Sequence, residues 1–135
     1  MPHIRISDAA LFLGVSDDTV RRWIARGDLT AGDETSGRKS IDGAELARFV
    51  RSRSEGLPQP GGQASSARNR FVGLVTDVVS DPVMSQVQLQ CGPYRVVSLM
   101  STESVEELEL AVGTVATASI KATHVVVETA AEKER

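Results

Sequence analysis

The sequence predicts an α+β chain made of two small domains, an all-helical domain followed by a small β-barrel. Apolar residues recur at helical spacing up to about residue 50, and from Arg70 onward they alternate with a period of two. Residues 52–66, between the two patterns, are rich in Gly, Pro, Ser and Gln, which is typical of a semi-flexible linker. We therefore expect domains at residues 1–53 and 66–128, a linker at 54–65 and a disordered tail at 129–135.

Composition narrows the class of protein. The chain has 135 residues, 41% of them hydrophobic, which is normal for a globular protein. No apolar run approaches the roughly 20 residues that cross a bilayer, and the N-terminus lacks a signal-peptide apolar region, so we expect a cytoplasmic protein. The only cysteine, Cys91, falls in register with Val87 and Leu89, which predicts a buried small hydrophobe rather than a nucleophile.

Catalytic and metal-binding patterns are missing from the sequence. It contains no Ser-His-Asp or paired-carboxylate arrangement, so we predict that the protein is not an enzyme. His3 and His124 have no Cys or His partner at ligand spacing, and we expect no metal-cation site.

The first domain begins with two helices in close succession. Ser7 is the predicted N-cap of the first helix, which ends at Gly14, and Ser16 is the predicted N-cap of the second, which ends at Gly27. Helix, glycine-containing turn and helix are the parts of a helix-turn-helix motif.

The second helix separates apolar from charged residues. At 100° per residue, Val20, Trp23 and Ile24 share the face that we expect to be buried. The opposite face carries Asp18, Thr19, Arg22 and Arg26, with Arg21 at its border. Residues 28–39 then favour a hairpin whose tip carries the positive charges of Arg38 and Lys39. A third helix follows, with Asp42 as its cap and Leu46, Phe49 and Val50 as its buried side.

Residues 4–50 resemble the winged helix-turn-helix of MerR-type and excisionase-type DNA-binding proteins, chiefly through residues 15–24 with Gly27 and Leu29. The resemblance implies that the second helix enters the major groove of double-stranded DNA and that the wing touches phosphates. The DNA-binding residues it implies are Ser16, Thr19, Arg21, Arg22, Arg26, Arg38 and Lys39. The alternative is that these arginines form a solvated helix face without a partner.

The second domain is predicted to contain strands at residues 71–79, 86–91, 94–100, 115–120 and 124–127. One short helix interrupts them, because Ser104-Val105-Glu106-Glu107 fits a capping box and Gly113 follows. Several short strands with one helix favour a barrel of the oligonucleotide/oligosaccharide-binding (OB) kind.

Residues 66–128 resemble a molybdate-binding Mop domain of the TOBE group. The resemblance rests on Ser66-Ala67-Arg68-Asn69, on residues 101–108 with Gly113, and on Ile120-Lys121-Ala122-Thr123. It implies that molybdate or tungstate binds between two Mop domains. The oxyanion-binding residues it implies are Ser66, Arg68, Asn69, Lys121, Ala122 and Thr123.

The implied chemistry is consistent with these residue types. Molybdate carries two negative charges and no proton, so cations and hydrogen-bond donors beside small residues suit it. Asn69 has two alternative roles, contacting the anion or orienting the loop.

One Mop copy cannot complete a site of this kind, so we expect a homo-oligomer, either a dimer or a hexamer, in which different chains supply the two strings. The leading interpretation is a bacterial transcriptional regulator that senses molybdate or tungstate at a subunit interface. A molybdate storage or buffering protein with a helical interaction module is the alternative. An oligonucleotide-binding barrel is a weaker third, because this half of the chain is acidic and poor in stacking aromatics.

Overall fold

The computed structural model describes residues 2–33, 38–54 and 64–130. The chain divides into two compact units, residues 1–58 and 59–135, each described below by itself. Residues 55–63 of the predicted linker and 131–135 of the predicted tail lie outside the described residues. Within the described ranges no helix is long and apolar enough to span a membrane.

The first unit combines three helices with a three-stranded antiparallel sheet of order β1-β3-β2. Its elements are β1 (His3–Arg5), α1 (Ile6–Leu13), α2 (Asp17–Ala25), β2 (Ala31–Asp33), β3 (Lys39–Asp42) and α3 (Gly43–Ser54). In the central strand, Ile41 pairs with Ile4 on one side and with Ala31 on the other. The predicted hairpin is therefore present as β2 and β3, and we call it the wing. Lys39 lies at the start of β3, paired with Asp33, and not at the predicted tip, because the strand pairing extends to it. β1 is a strand that the sequence did not predict.

The core of the first unit is closed by side chains from all three helices. Ala9, Val20 and Ile41 are fully buried, and Trp23 is 6% exposed. The Trp23 and Phe49 ring centroids are 5.1 Å apart, and the Arg53 guanidinium lies 4.8 Å from the Trp23 ring centroid. Trp23 is thus a core residue, as predicted.

Most of the predicted helix caps in this unit are confirmed. Gly14 has a φ of 67° at the end of α1, the Ser16 hydroxyl accepts a hydrogen bond from the Thr19 backbone N–H, and Asp42 accepts from the Glu45 N–H. The predicted Ser7 cap is wrong, since α1 begins at Ile6 with Arg5 at its N-cap position. The physical reason is that Arg5 still pairs with Ser40 in the sheet, so the helix starts directly from the strand.

The second unit is a curled antiparallel sheet of order β6-β5-β4-β7, in the form of a half-barrel. Its elements are β4 (Asn69–Ser80), β5 (Met84–Cys91), β6 (Tyr94–Ser101), α4 (Thr102–Glu107), β7 (Val115–Ile120) and a 3₁₀ turn (Ala122–His124). Val75, Val87, Leu89, Cys91 and Val105 form its core, so Cys91 is buried as predicted. Together the two units confirm the predicted α+β fold class with an OB-like second half.

Two predicted elements of the second unit are wrong. The capping box at Ser104 is replaced by a cap at Ser101, whose hydroxyl accepts from the Ser104 N–H at 3.1 Å, because β6 leads directly into α4. The predicted strand at residues 124–127 is absent, since the 3₁₀ turn takes up its beginning and residues 125–127 pair with no strand in the described part of the chain. A strand needs a paired neighbour for its backbone groups, and alternation in sequence cannot supply one.

Candidate functional site

A cationic pocket in the first unit is lined by residues of β1, α1 and α2 and by residues at the start of β3. Its volume is about 310 Å³, and its polar lining comprises Arg5, Ser7, Asp17, Arg21, Arg38 and Lys39. Four cations face one carboxylate there. A pocket with this charge balance is suited to an anion, such as a phosphate of a nucleic-acid backbone.

Three of the predicted DNA-binding residues, Arg21, Arg38 and Lys39, line this pocket. They come from different elements, because Arg21 lies on α2 whereas Lys39 begins β3. The fold therefore brings the exposed side of α2 and the wing to one surface, which their separation in sequence does not guarantee.

Three further predicted residues form a connected group on α2. The Arg22 Nη2 donates to the Thr19 hydroxyl at 3.1 Å, and that hydroxyl lies 2.9 Å from the Ser16 hydroxyl. The Ser16 hydroxyl caps α2, whereas the Arg22 side chain is exposed and is held by a hydrogen bond to the uncharged hydroxyl of Thr19. An arginine held in this way keeps its full charge and most of its donors for a ligand.

Two other predicted DNA-binding arginines, Arg21 on α2 and Arg26 at its C-cap, are paired with exposed carboxylates. The Arg26 Nη2 lies 2.9 Å from the Asp28 Oδ2, and the Arg21 Nη1 lies 3.6 Å from the Asp18 Oδ1. Exposed ion pairs of this kind are worth about 0–1 kcal/mol, so a phosphate can displace either carboxylate.

Sequence reasoning missed Arg5 and Ser7 as members of this surface. The sequence predicts Ser7 only as a helix cap and indicates no role for Arg5. They reach the pocket because β1 pairs with β3, which sets Arg5 beside Ser40, next to Lys39. No local signal reveals this, since β1 is three residues long and its partner is more than thirty residues away.

In the second unit, the two predicted oxyanion-binding strings meet at the ends of adjacent strands. Asn69, which begins β4, pairs with Ile120, which ends β7, and the Asn69 Nδ2 donates to the Ile120 carbonyl at 3.1 Å. Ser66-Ala67-Arg68-Asn69 and Lys121-Ala122-Thr123 therefore lie side by side within one chain. The expectation that different chains supply the two strings to one oxyanion site stays a prediction.

The loop that carries Arg68 is shaped by hydrogen bonds to Ser65. The Ala67 N–H donates to the Ser65 hydroxyl at 3.1 Å, and the Arg68 Nη1 donates to the Ser65 carbonyl at 3.2 Å. Ser65 was not among the predicted site residues. The bond from the Asn69 Nδ2 to the Ile120 carbonyl fits a loop-orienting role, and contact of Asn69 with an anion stays a prediction.

The side chains of this region that can attract an anion are open to solvent. Arg68 and Lys121 are exposed, as are Ser66 and Thr123, and the Thr123 hydroxyl is 3.4 Å from the His124 Nδ1. Ala67 and Ala122 leave space at the backbone. These residues are a candidate half-site, because water screens exposed charges strongly and a dianion bound to them alone would be held weakly.

Groups of three or more His, Cys, Asp or Glu side chains able to hold a metal ion do not occur within the described residues. Neither unit therefore presents a metal-cation cluster in the ranges that the structure covers.

Two family models match separate parts of the chain. Residues 4–54 match a helix-turn-helix domain family, and residues 65–127 match the TOBE domain family. The helix-turn-helix match does not distinguish the MerR-type subfamily, which stays a prediction. No curated protein matches the chain.

Two solved structures are similar to about half of the chain. A molybdate-binding protein from Sporomusa ovata is 28% identical, and the match covers 50% of this chain and 100% of that one, with a TM-score of 0.48. MopII from Clostridium pasteurianum is 34% identical over 49% of this chain and 100% of its own, with a TM-score of 0.46. The chain thus belongs to the TOBE domain family through its second unit and carries a helix-turn-helix domain in its first.

Proposed function

We propose that this protein is a bacterial DNA-binding transcriptional regulator that senses molybdate or tungstate through its TOBE unit at a subunit interface. The observation that carries the proposal is the presence of two separate anion-attracting surfaces, one on each unit. The pocket around Arg5 and Lys39 suits a polymeric phosphate backbone, whereas the paired strings at Arg68 and Lys121 suit a single small dianion.

The proposed DNA contacts divide by residue type. Arg22 and Thr19 on α2 are suited to base edges in the major groove, because an arginine can donate two parallel hydrogen bonds to guanine. Arg5, Arg21, Arg38 and Lys39 surround the pocket and are assigned to phosphates. Phosphate contacts position the protein on DNA, and the contacts to base edges select the sequence.

The proposed oxyanion site uses charge from Arg68 and Lys121 and hydroxyl donors from Ser66 and Thr123. One similar protein is named as molybdate-binding, which supports molybdate as the ligand class. A second copy of the chain is the proposed cover for this exposed half-site. Binding at such an interface could change the spacing of the two DNA-binding units, and a useful switch needs a coupling of about 1–3 kcal/mol.

The DNA-binding proposal is tested by gel shift with DNA from upstream of molybdate-uptake or cofactor genes. Arg22→Ala is expected to weaken binding by about 1–3 kcal/mol and to relax sequence preference, since a base contact is lost. Arg5→Ala is expected to weaken binding uniformly across sequences and to reduce the salt slope by about 1. Arg48→Ala, at an exposed arginine on α3, is the matched control. Equal affinity and salt slope for wild type and Arg5→Ala would remove Arg5 from the interface.

The sensing proposal is tested by calorimetric titration with molybdate, tungstate and sulfate. We expect tight binding of molybdate or tungstate, no comparable binding of sulfate, and loss of binding in Arg68→Gln and Lys121→Gln. Arg95→Gln, at an exposed arginine on β6, is the control for loss of positive charge. Sulfate binding equal to molybdate binding would contradict a molybdate sensor.

The alternative, molybdate storage, predicts a different pair of results. A storage protein binds the oxyanion and does not bind DNA, whereas a regulator binds DNA with an affinity that molybdate changes. Repeating the gel shift with and without the tightest oxyanion separates the two functions.

A further inference from the structure

The connection between α2 and the wing is held by a carboxylate from α3. The chain leaves α2 at its C-cap, Arg26, and enters β2 at Ala31 after residues 27–30. At the end of this connection the Thr30 N–H donates to the Glu45 Oε1 at 2.8 Å, although the two residues are 15 positions apart in sequence. Glu45 therefore holds the chain at the point where it passes from α2 into the wing.

The position of Glu45 in α3 is typical of a different role. Asp42 and Glu45 have the spacing of a capping box, in which the cap accepts from the N–H of the third helical residue and the side chain of that residue reaches back to the cap. The Glu45 N–H does donate to the Asp42 Oδ2, at 3.2 Å. The Glu45 carboxylate, however, accepts from Thr30. Its side chain thus serves the connection to the wing.

Thr30 lies where the pairing of the two wing strands ends. The pair at the base of the wing joins Ala31 to Ile41. In the same register Thr30 would face Asp42, but β3 ends at Asp42, whose carboxylate caps α3. The Glu45 carboxylate accepts the Thr30 N–H at this position and so extends the base of the wing by one hydrogen bond.

On the α2 side the connection is anchored in the core. Leu29 is 1% exposed, and the Asp28 N–H donates to the Trp23 carbonyl at 2.9 Å. Thr30, the next residue, is exposed. Because the Thr30 N–H could bond to water if the Glu45 carboxylate were removed, the bond adds little to the stability of the fold. Its effect is on the direction in which the chain leaves the core.

The two cations of the wing depend on β2 for their position. Lys39 pairs with Asp33 of β2, one position beyond the last β1–β3 pair, which joins Arg5 to Ser40. Arg38 precedes Lys39, and both line the same pocket as the cations of β1 and α2. Because the attraction between charges falls with distance, a displaced wing would lose a phosphate that β1 and α2 still hold.

We propose that Glu45 is a positioning residue for DNA binding, because its bond to Thr30 holds the wing where Arg38 and Lys39 reach the phosphate backbone. The inference rests on the proposed DNA-binding function and adds a residue that acts through the wing. A carboxylate on a DNA-binding unit repels phosphates, so removal of an acidic residue without this role strengthens binding. Removal of the Glu45 side chain is expected to weaken it.

Gel shift of full-length variants on DNA from upstream of molybdate-uptake or cofactor genes measures this sign. For Glu45→Ala we expect affinity to fall about fivefold at about 0.15 M salt and the salt slope to fall by about 1, which corresponds to one lost phosphate contact. Glu45→Gln keeps an acceptor oxygen without the charge, so we expect at least the wild-type affinity. Asp8→Ala, at an exposed carboxylate on α1, is the control for loss of negative charge and should also bind at least as tightly as wild type.

Two further readouts separate positioning of the wing from damage to the fold. The deficit of Glu45→Ala should shrink as the salt concentration rises, and the preference among sites with single base changes should stay that of the wild type, because α2 is not displaced. Hydrogen exchange of the full-length chain should be faster in residues 29–33 of Glu45→Ala, while the fluorescence of Trp23 is unchanged.

The outcomes separate this inference from the proposed function. Glu45→Ala that binds DNA as tightly as wild type, or with a deficit that does not depend on salt, overturns the positioning role and leaves DNA binding standing. The same holds if Glu45→Gln shares the deficit, since an acceptor oxygen is then not what matters. A wild-type chain that binds none of the DNA overturns the proposed function and this inference with it.

Discussion

The two units differ in how completely each buries its own apolar residues. Among the described residues, only Leu11 and Phe12 are large exposed hydrophobics in the first unit, whereas fifteen such residues lie in the second. Many of the fifteen lie on strands or in the segment after β7. The first unit therefore has a core that its own chain closes, whereas the second unit leaves many large apolar side chains exposed.

The same contrast holds for the candidate sites. The cationic pocket of the first unit is assembled from four elements of one chain, β1, α1, α2 and β3, and is already concave. The oxyanion strings of the second unit are brought together by the pairing of β4 with β7, but their charged side chains stay exposed. DNA, a large partner, can cover an open surface by itself. A small dianion cannot cover such a surface, so we expect tight binding only where further protein surface shields the site from water.

The largest expected effect is a loss of folding stability when the closed core of the first unit is disrupted. Leu29→Ala removes a side chain that is 1% exposed, and we expect a loss of about 2–5 kcal/mol in the free energy of unfolding. Urea denaturation followed by Trp23 fluorescence measures this unit alone, because Trp23 is the only tryptophan. The midpoint should not depend on protein concentration, since the core is complete within one chain.

Leu11→Ala is the matched control, because Leu11 is exposed on α1. Its expected effect is within about 0.5 kcal/mol. A midpoint of the Trp23 signal that rises with protein concentration would show instead that the first unit, like the second, depends on association.

Sequence patterns predicted the first unit well because its determinants are local. Glycines at helix ends, the Ser16 cap and the apolar face around Trp23 act over a few residues, and each is present as predicted. The strand β1 and the pocket residue Arg5 could not be predicted, because they depend on pairing with β3 far along the chain.

The second unit shows where alternation in sequence misleads. Residues 84–91 alternate and form β5, whose neighbours β4 and β6 supply its backbone partners. The valines at 125–127 also have high strand propensity, but they form no strand, because propensity does not supply a neighbouring strand to pair with. The motif strings located the candidate oxyanion site, but only the structure revealed that they adjoin within one chain.

A second, smaller effect is expected where the half-barrel is tightly packed. A Cβ on Gly73 would lie 2.5 Å from the Cys91 Sγ and 2.8 Å from the Gln90 carbonyl oxygen, so the β4 backbone approaches β5 too closely for a side chain. We expect Gly73→Ala to cost about 1–3 kcal/mol through overpacking, measured by far-UV circular dichroism during thermal unfolding.

The control is Gly32→Ala, because a Cβ there meets nothing within 4 Å. If Gly73→Ala were as stable as this control, β4 and β5 would have room to separate at Gly73. The loose packing of the second unit would then include its paired strands as well as its edges.

The smallest expected effect concerns a turn that forms without any partner chain. The Asp81 carboxylate accepts hydrogen bonds from the Val83 N–H at 2.7 Å and the Met84 N–H at 2.8 Å, between β4 and β5. The bonds from Met84 and Val83 lower the pKa of Asp81, because they stabilise its charged form. A carboxyl group with a lowered pKa in the folded state stabilises the fold at neutral pH and loses that contribution as the pH falls through the folded-state value.

Asp81→Asn keeps an acceptor but removes the charge, so its melting temperature should lie slightly below that of the wild type at pH 7. The difference should close as the pH is lowered into the acidic range and the wild-type carboxylate becomes protonated. Because the turn is local, the same closing difference is expected at every protein concentration. A difference that persisted unchanged into the acidic range would show that the charge of Asp81 does not stabilise the β4–β5 turn.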